Sequence, residues 1–495
     1  MEKSTNIHKN CIETVALHNL GCKVNTYETE KMAALLQNAG YRIVPFTEKA
    51  DIYVVNTCSV TQMADKKSRQ MLHRARRLNP DAVVIAAGCF VQAGGITPEE
   101  IGADILLGND KKGELISVLS AYRSDKKAKT AVIDINDPDE CYEELYREAS
   151  KEVTGVPGKA PAGGEPVEAT AVNLTESPTK IPIEGPAENR PVDETAGRHI
   201  EASAGNLSHP HTRAFVKIQD GCNQFCSYCR IPFVRGRTRS RTAASVLDEI
   251  AQMLRHGYKE IVLTGIHVSS YRDGETDLIG LIEKIDALPG MRRLRLSSME
   301  PRLITEEAAR RLSKCASLCP HFHLSLQSGC DATIKRMNRH YTTAQFEEGV
   351  TYLRKYFTDP AITTDVIAGF PGETKEEFAA TKEFVQKIGF ADMHVFKYSP
   401  REGTRAFAFD GQVSEETKNL RSDELLLLAE KMNKVFCKTW EGRMAEVLFE
   451  ECVAKDGKEY WTGFTREYLR VYAESGEDLK NRIRPMEFHL RPFAK

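Results

Sequence analysis

Between Lys151 and Pro210 the chain runs for sixty residues without a phenylalanine, tyrosine or tryptophan, and this stretch holds eight of the twenty-one prolines. A segment so poor in bulky apolar groups cannot bury enough surface to offset the entropy of ordering it. It reads as a flexible linker over residues 137–209, and it rules out one continuous core. Whatever folds must fold separately on either side of it.

On the amino-terminal side, residues 13–136, apolar runs alternate with amphipathic stretches. Strands are expected at Val15–Leu20, Ile52–Val55, Val83–Ala87 and Ile105–Leu107, with helices at Thr29–Ala39, Ala64–Leu78 and Glu114–Tyr122. Short connections between strand and helix imply right-handed crossovers and a parallel, doubly wound sheet. On the other side, residues 210–412 carry six strand candidates: Phe215–Ile218, Ile261–Leu263, Leu294–Leu296, Phe322–Leu326, Thr363–Ile367 and Met393–Phe396. Helical stretches separate them, so this α/β unit should form a partial (β/α)6 barrel, short of the eight repeats that close a full one, with an open flank for a large substrate. A Leu-rich helical connector, 413–440, leads to a small all-β module, 441–495, that ends in a basic tail.

Composition narrows the function. Net charge is −2 over 495 residues, so attraction to a polyanion has to come from local patches. No apolar run is long enough to cross a membrane, and Met1–Asn6 leads into no secretory h-region, so the expectation is a cytoplasmic protein without a membrane partner. Thirteen cysteines are too sparse for a disulfide scaffold and, in a reducing compartment, point to metal binding or catalysis.

The strongest local signal is Cys222-Asn-Gln-Phe-Cys226-Ser-Tyr-Cys229, directly after the first barrel strand. Three thiolates at this spacing can hold three corners of a [4Fe–4S] cluster and leave one iron open to an external ligand, where ordinary clusters take a fourth cysteine. A zinc knuckle is the competing reading, but it needs a second ligand pair, and none lies nearby. A second pattern is spread wider: Cys22, Cys58 and Cys89 each follow an apolar strand. In a parallel sheet their loops share the edge where open α/β folds bind ligands, which suggests a second three-cysteine cluster rather than three buried small hydrophobes.

The Cys222–Cys229 run resembles the radical SAM superfamily signature, with Tyr228 before the last cysteine fitting it too. The resemblance implies that S-adenosylmethionine binds the open iron and is cleaved to methionine and a 5′-deoxyadenosyl radical. It also implies a cofactor cradle at the strand ends: Thr264 and Gly265, Ser298 and Glu300, Gln327, then Gly369 and Pro371. Together with the Cys22, Cys58 and Cys89 trio and the small β-module, the chain is similar to the methylthiotransferase family, whose last domain is called TRAM and is taken to bind RNA. Leu20-Gly-Cys-Lys-Val-Asn-Thr-Tyr-Glu28 and Thr264-Gly-Ile-His267 resemble the branch acting on threonylcarbamoyladenosine in tRNA. The isopentenyladenosine branch instead carries Gln-Met after the first cysteine. The long linker, and Ser269-Ser270 where a glycine is usual, depart from the pattern without removing a ligand.

The family implies hydrogen abstraction from C2 of the adenine and transfer of a methylthio group to that carbon. The implied cofactors are two [4Fe–4S] clusters and S-adenosylmethionine. The implied partners are a tRNA anticodon loop modified at position 37, an electron donor such as flavodoxin or ferredoxin, and a sulfur donor. No catalytic side chain is assigned. Basic runs, Lys66 to Arg77 and the five arginines between Arg230 and Arg241, read as a phosphate track together with the tail. Cys11, Cys141, Cys315, Cys319, Cys330, Cys437 and Cys452 read as packing or surface thiols, with Cys315 and Cys319 on a helix. The alternatives are the same chemistry on isopentenyladenosine or a ribosomal protein, and a non-catalytic Fe–S protein that binds RNA and senses redox state.

Overall fold

The computed structural model describes residues 12–132, 212–455 and 457–490. The expected linker, Cys11, Cys141 and the last five residues of the tail lie outside them.

Residues 12–132 form the expected parallel sheet, flanked by apolar clusters on both faces. Its strands are β1 (Thr14–Asn19), β2 (Arg42–Val44), β3 (Ile52–Thr57), β4 (Val83–Gly88), β5 (Ile105–Leu107) and β6 (Lys129–Ala131), in the order β2-β1-β3-β4-β5-β6. The three-residue edge strands β2 and β6 are additions to the sequence reading. Helix α1 (Lys23–Asn38) starts six residues earlier than periodicity suggests, because Asn25, Thr26 and Glu28 are buried polar residues that disguise its inner face. Helix α2 (Gln62–Leu78) is capped by Thr61, whose side chain accepts from the Ala64 N–H.

The second unit is an arc of parallel strands. β7 (Arg213–Asp220) carries the two-residue antiparallel β8 (Arg239–Ser240) on one edge and β9 (Glu260–Gly265) on the other. A small hairpin, β10 (Arg272–Asp273) with β11 (Thr276–Asp277), sits outside the arc. β12 (Arg293–Leu296), β13 (His321–His323), β14 (Ala361–Ala368) and β15 (Asp392–Lys397) continue it, the two halves being stitched by isolated bridges at Leu294–Leu318 and Met299–Leu324. Cys315 and Cys319 fall in the turn after helix Glu306–Leu312 rather than on a helix, since that helix already ends at Ser313.

Alternation along the strands sorts side chains into two faces. Ala214, Val216, Ile218, Ile362, Val366 and Met393 point outward into the main apolar core under the helices. The inner face of the arc carries polar residues: Lys217 and Gln219 on β7, Glu260 on β9, His323 on β13 and Asp365 on β14. A complete barrel of this class packs apolar layers there; this one keeps a polar interior.

The open flank is bridged rather than left free. Glu28 of α1 bonds Lys217 of β7 at 2.6 Å, while Arg401, beyond β15, bonds Ser59 at 2.9 Å and Asp65 at 2.7 Å. The amino-terminal unit therefore spans both margins of the arc. At the opposite end, helix Glu415–Trp440 runs into an antiparallel sheet of β16 (Met444–Lys455), β17 (Lys458–Phe464), β18 (Arg470–Ala473) and β19 (Ile483–Glu487), ordered β18-β17-β16-β19. Its 464–468 loop plugs the amino-terminal end of the arc: Arg293 donates to the carbonyls of Phe464 and Thr465, and Arg295 to those of Thr465 and Arg466.

Candidate active site

The Cys222–Cys229 loop is folded by its own backbone. Gly221, at φ +68, lies so close to the Arg237 carbonyl that any Cβ would collide with it, and Cys222 N–H donates to the Gly236 carbonyl at 3.0 Å. The Cys229 N–H donates to the Cys226 carbonyl at 3.0 Å, turning the third thiol back toward the first two. Burial pushes the Cys222 thiol up to about 11 and Cys229 up to about 12, with the neighbouring cysteines adding to both. Thiols held like this give up their protons when they bind metal. Arg339 donates to Cys226 Sγ at 3.5 Å and pairs with Glu300 at 2.9 Å, and His267 Nε2 lies 3.5 Å from the same carboxylate. Tyr228 meets the Phe370 ring edge-on at 6.2 Å.

The other expected cradle residues separate into groups. Thr264 is buried at the end of β9, and a Cβ on Gly265 would sit 3.0 Å from the Gln219 carbonyl. Ser298 is exposed, whereas Glu300 is buried and engaged by Arg339. Gln327 adopts a left-handed conformation at φ +65 and donates its N–H to Asp365 at 2.8 Å. The Gly369 N–H is taken by the Glu373 carboxylate at 2.9 Å. Pro371 faces an open recess of about 440 Å³ with Lys335, Arg336 and Asn338; Asn338 donates to the Phe225 carbonyl, so this recess backs onto the cysteine loop.

Cys22, Cys58 and Cys89 do converge. A Cβ on Gly21, at φ +101, would lie 2.8 Å from Cys58 Sγ, and only glycine allows that approach. Cys22 is open to solvent on one side, yet desolvation by the surrounding protein still raises its thiol, and Cys58 is pushed up to about 12 by burial and then by Cys89 and Cys22. Among the described residues, only His323, Asp365 and His394 bring three ligand atoms within 4.8 Å of one another. Neither cysteine trio is tight enough for a single tetrahedral ion, which argues for a cluster and against zinc.

The two trios are joined by the segment just after Cys229. Asn109 Nδ2 donates to the Val234 carbonyl at 2.6 Å and reaches Cys89 Sγ at 3.5 Å. The fully buried Arg235 next to it bonds Asn25 at 2.6 Å, Glu28 at 2.9 Å and Asp220 at 3.0 Å. Lys112 and Lys217 complete this knot of three cations and two carboxylates, which holds Glu28 well below the usual carboxylate range against the cost of its burial.

That knot overturns part of the phosphate-track reading. Of the five arginines between Arg230 and Arg241, Arg235 is internal, Arg239 pairs with Asp110 at 3.0 Å, and Arg241 pairs with the buried Glu249. Their spacing resembled a solvated basic run; in the fold they face acids from distant segments. Only Arg230 and Arg237 remain available, Arg237 stacking on Phe225 with 4.5 Å to the ring centroid. Lys66, Lys67, Arg69 and Arg77 on α2 stay exposed as expected, although Arg76 pairs with Asp104 at 2.7 Å. Arg339 and Arg401 are site residues that sequence reasoning missed. Each is a lone arginine whose partner lies far along the chain, so no local pattern could have marked it.

Residues 14–108 match the Uncharacterized protein family UPF0004, and residues 216–385 match the Radical SAM superfamily. Threonylcarbamoyladenosine tRNA methylthiotransferase MtaB of Bacillus subtilis (strain 168) is 35% identical over 478 residues, covering 95% of this chain and 92% of that protein. The chain belongs to the methylthiotransferase family. A tRNA-2-methylthio-N(6)-dimethylallyladenosine synthase of Thermodesulfovibrio yellowstonii is 29% identical over 484 residues, covering 96% and 97% of the two chains. Among solved structures, the radical S-adenosylmethionine methyltransferase TsrM of Kitasatospora setae, with cobalamin and a [4Fe–4S] cluster bound, aligns at a TM-score of 0.50 and 16% identity over 80% of this chain and 74% of that one. That likeness concerns the fold alone. In this methylthiotransferase the UPF0004 match contains Cys22, Cys58 and Cys89, and the radical SAM match contains the other trio.

Proposed function

We propose that the protein adds a methylthio group to C2 of N6-threonylcarbamoyladenosine at position 37 of tRNA. One observation carries this reading: two separate cysteine trios are locked to one another through Val234 and Arg235. Two [4Fe–4S] clusters bound by the two trios, together with S-adenosylmethionine, would supply the radical chemistry at C2 and the sulfur delivered there. Cys222, Cys226 and Cys229 hold one cluster, and Cys22, Cys58 and Cys89 hold the other. Arg339 places positive charge at Cys226 and fixes Glu300, while Tyr228, Thr264, Gly265, Ser298, Gln327, Gly369 and Pro371 frame the S-adenosylmethionine side. An electron donor of the flavodoxin or ferredoxin kind and a sulfur donor complete the cycle in the cytoplasm.

The surface around the site suits a single-stranded RNA loop. Phe233, Met63 and Val60 are exposed close to the two trios, and Phe225 lies edge-on to Phe233 at 6.0 Å with Arg237 stacked on it. Exposed aromatic faces beside cations are what unstacked bases use. The named relatives favour threonylcarbamoyladenosine over the isopentenyl substrate, which enters at lower identity.

Nucleoside analysis of tRNA from a deletion strain tests the assignment. Loss of the methylthio form of threonylcarbamoyladenosine, with the isopentenyl form untouched, is the expected result; the opposite pattern reassigns the substrate. An Fe–S protein that only senses redox state would leave S-adenosylmethionine uncleaved under reducing conditions.

A further inference from the structure

The inner face of the arc holds a polar group that none of the roles above uses. His323, Asp365 and His394 stand on three adjacent parallel strands, β13, β14 and β15, with one ligand atom from each within 4.8 Å of the others. His323 Nδ1 lies 3.0 Å from Thr363 Oγ1, and its Nε2 sits 3.2 Å from Asp365 Oδ2 without an aligned hydrogen bond. The His394 ring lies 5.9 Å from that of His323. Below them His321 packs against Tyr468 of the carboxyl-terminal domain, with ring centroids 4.9 Å apart and planes tilted by 30°, and leaves its buried Nδ1 unpaired. The group is half-buried and reachable, Asp365 keeping 25% of its side chain exposed.

Its place in the arc links it to the reacting centre. Ile367 and Tyr228 both pack against the apolar cluster of Phe370 and Tyr398 beside the cysteine loop, and Asp365 is the next inward residue down the same strand from Ile367, about 7 Å away at the rise of two strand residues. Lys23, the residue after Cys22, comes in from the other domain. Its charge acts on both His321 and Asp365, and among the described residues it makes no hydrogen bond or ion pair of its own. Burial, Arg295 and Lys23 together keep His321 well below its ordinary range and therefore neutral.

We propose that His323, Asp365 and His394, together with Lys23, form the subsite for the polar acyl substituent on N6 of the substrate adenine. This rests on the threonylcarbamoyladenosine reading and says how that substituent is selected. The substituent carries a carboxylate, a hydroxyl and ureido N–H groups. The Lys23 ammonium meets the carboxylate, the imidazoles supply a donor or acceptor as their tautomers require, and Asp365 accepts from N–H or O–H. An isopentenyl group offers none of these, and a site that leaves buried polar groups unpaired rejects such an analogue strongly. The same three ligand atoms would suit a divalent cation, but the positive charge of Lys23 acting on Asp365 favours an anion.

The test uses the full chain, reconstituted anaerobically, with anticodon-loop tRNA bearing threonylcarbamoyladenosine, isopentenyladenosine or plain adenosine at position 37. Asp365→Asn, His394→Leu and Lys23→Met are compared with the unaltered protein, with iron content and absorption spectrum checking that each is folded and loaded. The expected result is a fall of about 10- to 100-fold in kcat/KM for the threonylcarbamoyl substrate, with the preference over plain adenosine collapsing. A measurement without variants backs it: equilibrium dialysis of the free nucleoside, whose binding should weaken at least about tenfold when its carboxylate is methyl-esterified. Unaltered preference in all three variants, or ester and acid binding alike, overturns the subsite while the function stands. One equivalent of a metal other than iron, lost in His323→Ala and required for turnover, also overturns it. If the unaltered protein processes only the isopentenyl substrate, the functional reading fails and the subsite falls with it.

Discussion

Single residues decide how the site is loaded. Cys58→Ala should remove about half of the iron, roughly four of eight atoms per chain, because two thiols hold a cubane poorly. The variant should still form 5′-deoxyadenosine but insert no sulfur; full product from it would remove the second cluster from the scheme. Cys226→Ala should lose deoxyadenosine formation altogether. Arg235 acts differently, as the cation facing Glu28 and Asp220 in a fully buried knot. Replacing it with methionine leaves Glu28 to Lys112 and Lys217, and Asp220 to Lys217 alone, and should cost on the order of 1.5–3 kcal/mol, read as a lower denaturation midpoint. The cysteines were legible in the sequence because their chemistry is tied to short spacing or to a repeated place after a strand. Arg235 was misread as part of a phosphate track, because a basic run looks the same whether it meets solvent or a distant acid.

Elements set the distances between those residues. The loop between β1 and α1 needs Gly21 at φ +101 against Cys58. Gly21→Ala strains that backbone and inserts a methyl group 2.8 Å from the thiol. Loss of the second cluster with the first intact is expected, checked by iron and sulfide determination. Docking of the 464–468 loop depends on the guanidinium groups of Arg293 and Arg295, both paired with the buried Glu260 at 2.9 Å. Although desolvation alone would raise Glu260, the arginines bring it down from 4.5 to about 2. Its contribution is complete above about pH 4.5 and disappears as pH falls toward 2, a loss on the order of 3 kcal/mol. An acid titration followed by near-ultraviolet circular dichroism should show that loss, and Glu260→Gln should flatten it. Strand and helix periodicity announced most of these elements. It missed the early turns of α1, whose inner face is polar, and the edge strands β2 and β6, which are three residues each.

For the whole molecule, the decisive fact is that the amino-terminal unit spans both margins of the incomplete barrel while the small β-domain closes its base. All three parts therefore contribute to one polar chamber. Exposed Lys66, Lys67, Arg69 and Arg77 on α2, with Arg230 and Arg237 near the other trio, should make tRNA affinity fall steeply with salt, with a log–log slope of about 0.7–0.9 per phosphate contact. Reversing Lys66 and Lys67 to glutamate should reduce that slope by about two; an unchanged slope would place the RNA elsewhere.

The sequence alone determined the two cysteine sets, the α/β alternation and the family likeness, because these depend on spacing and periodicity within short reach. Tertiary structure decided which cations are spent on buried acids, how the open flank is bridged, and that His323, Asp365, His394 and Lys23 meet. Those pairings join residues from separate strands or separate domains, and only the packed chain brings them within a hydrogen bond's reach or a charge's influence.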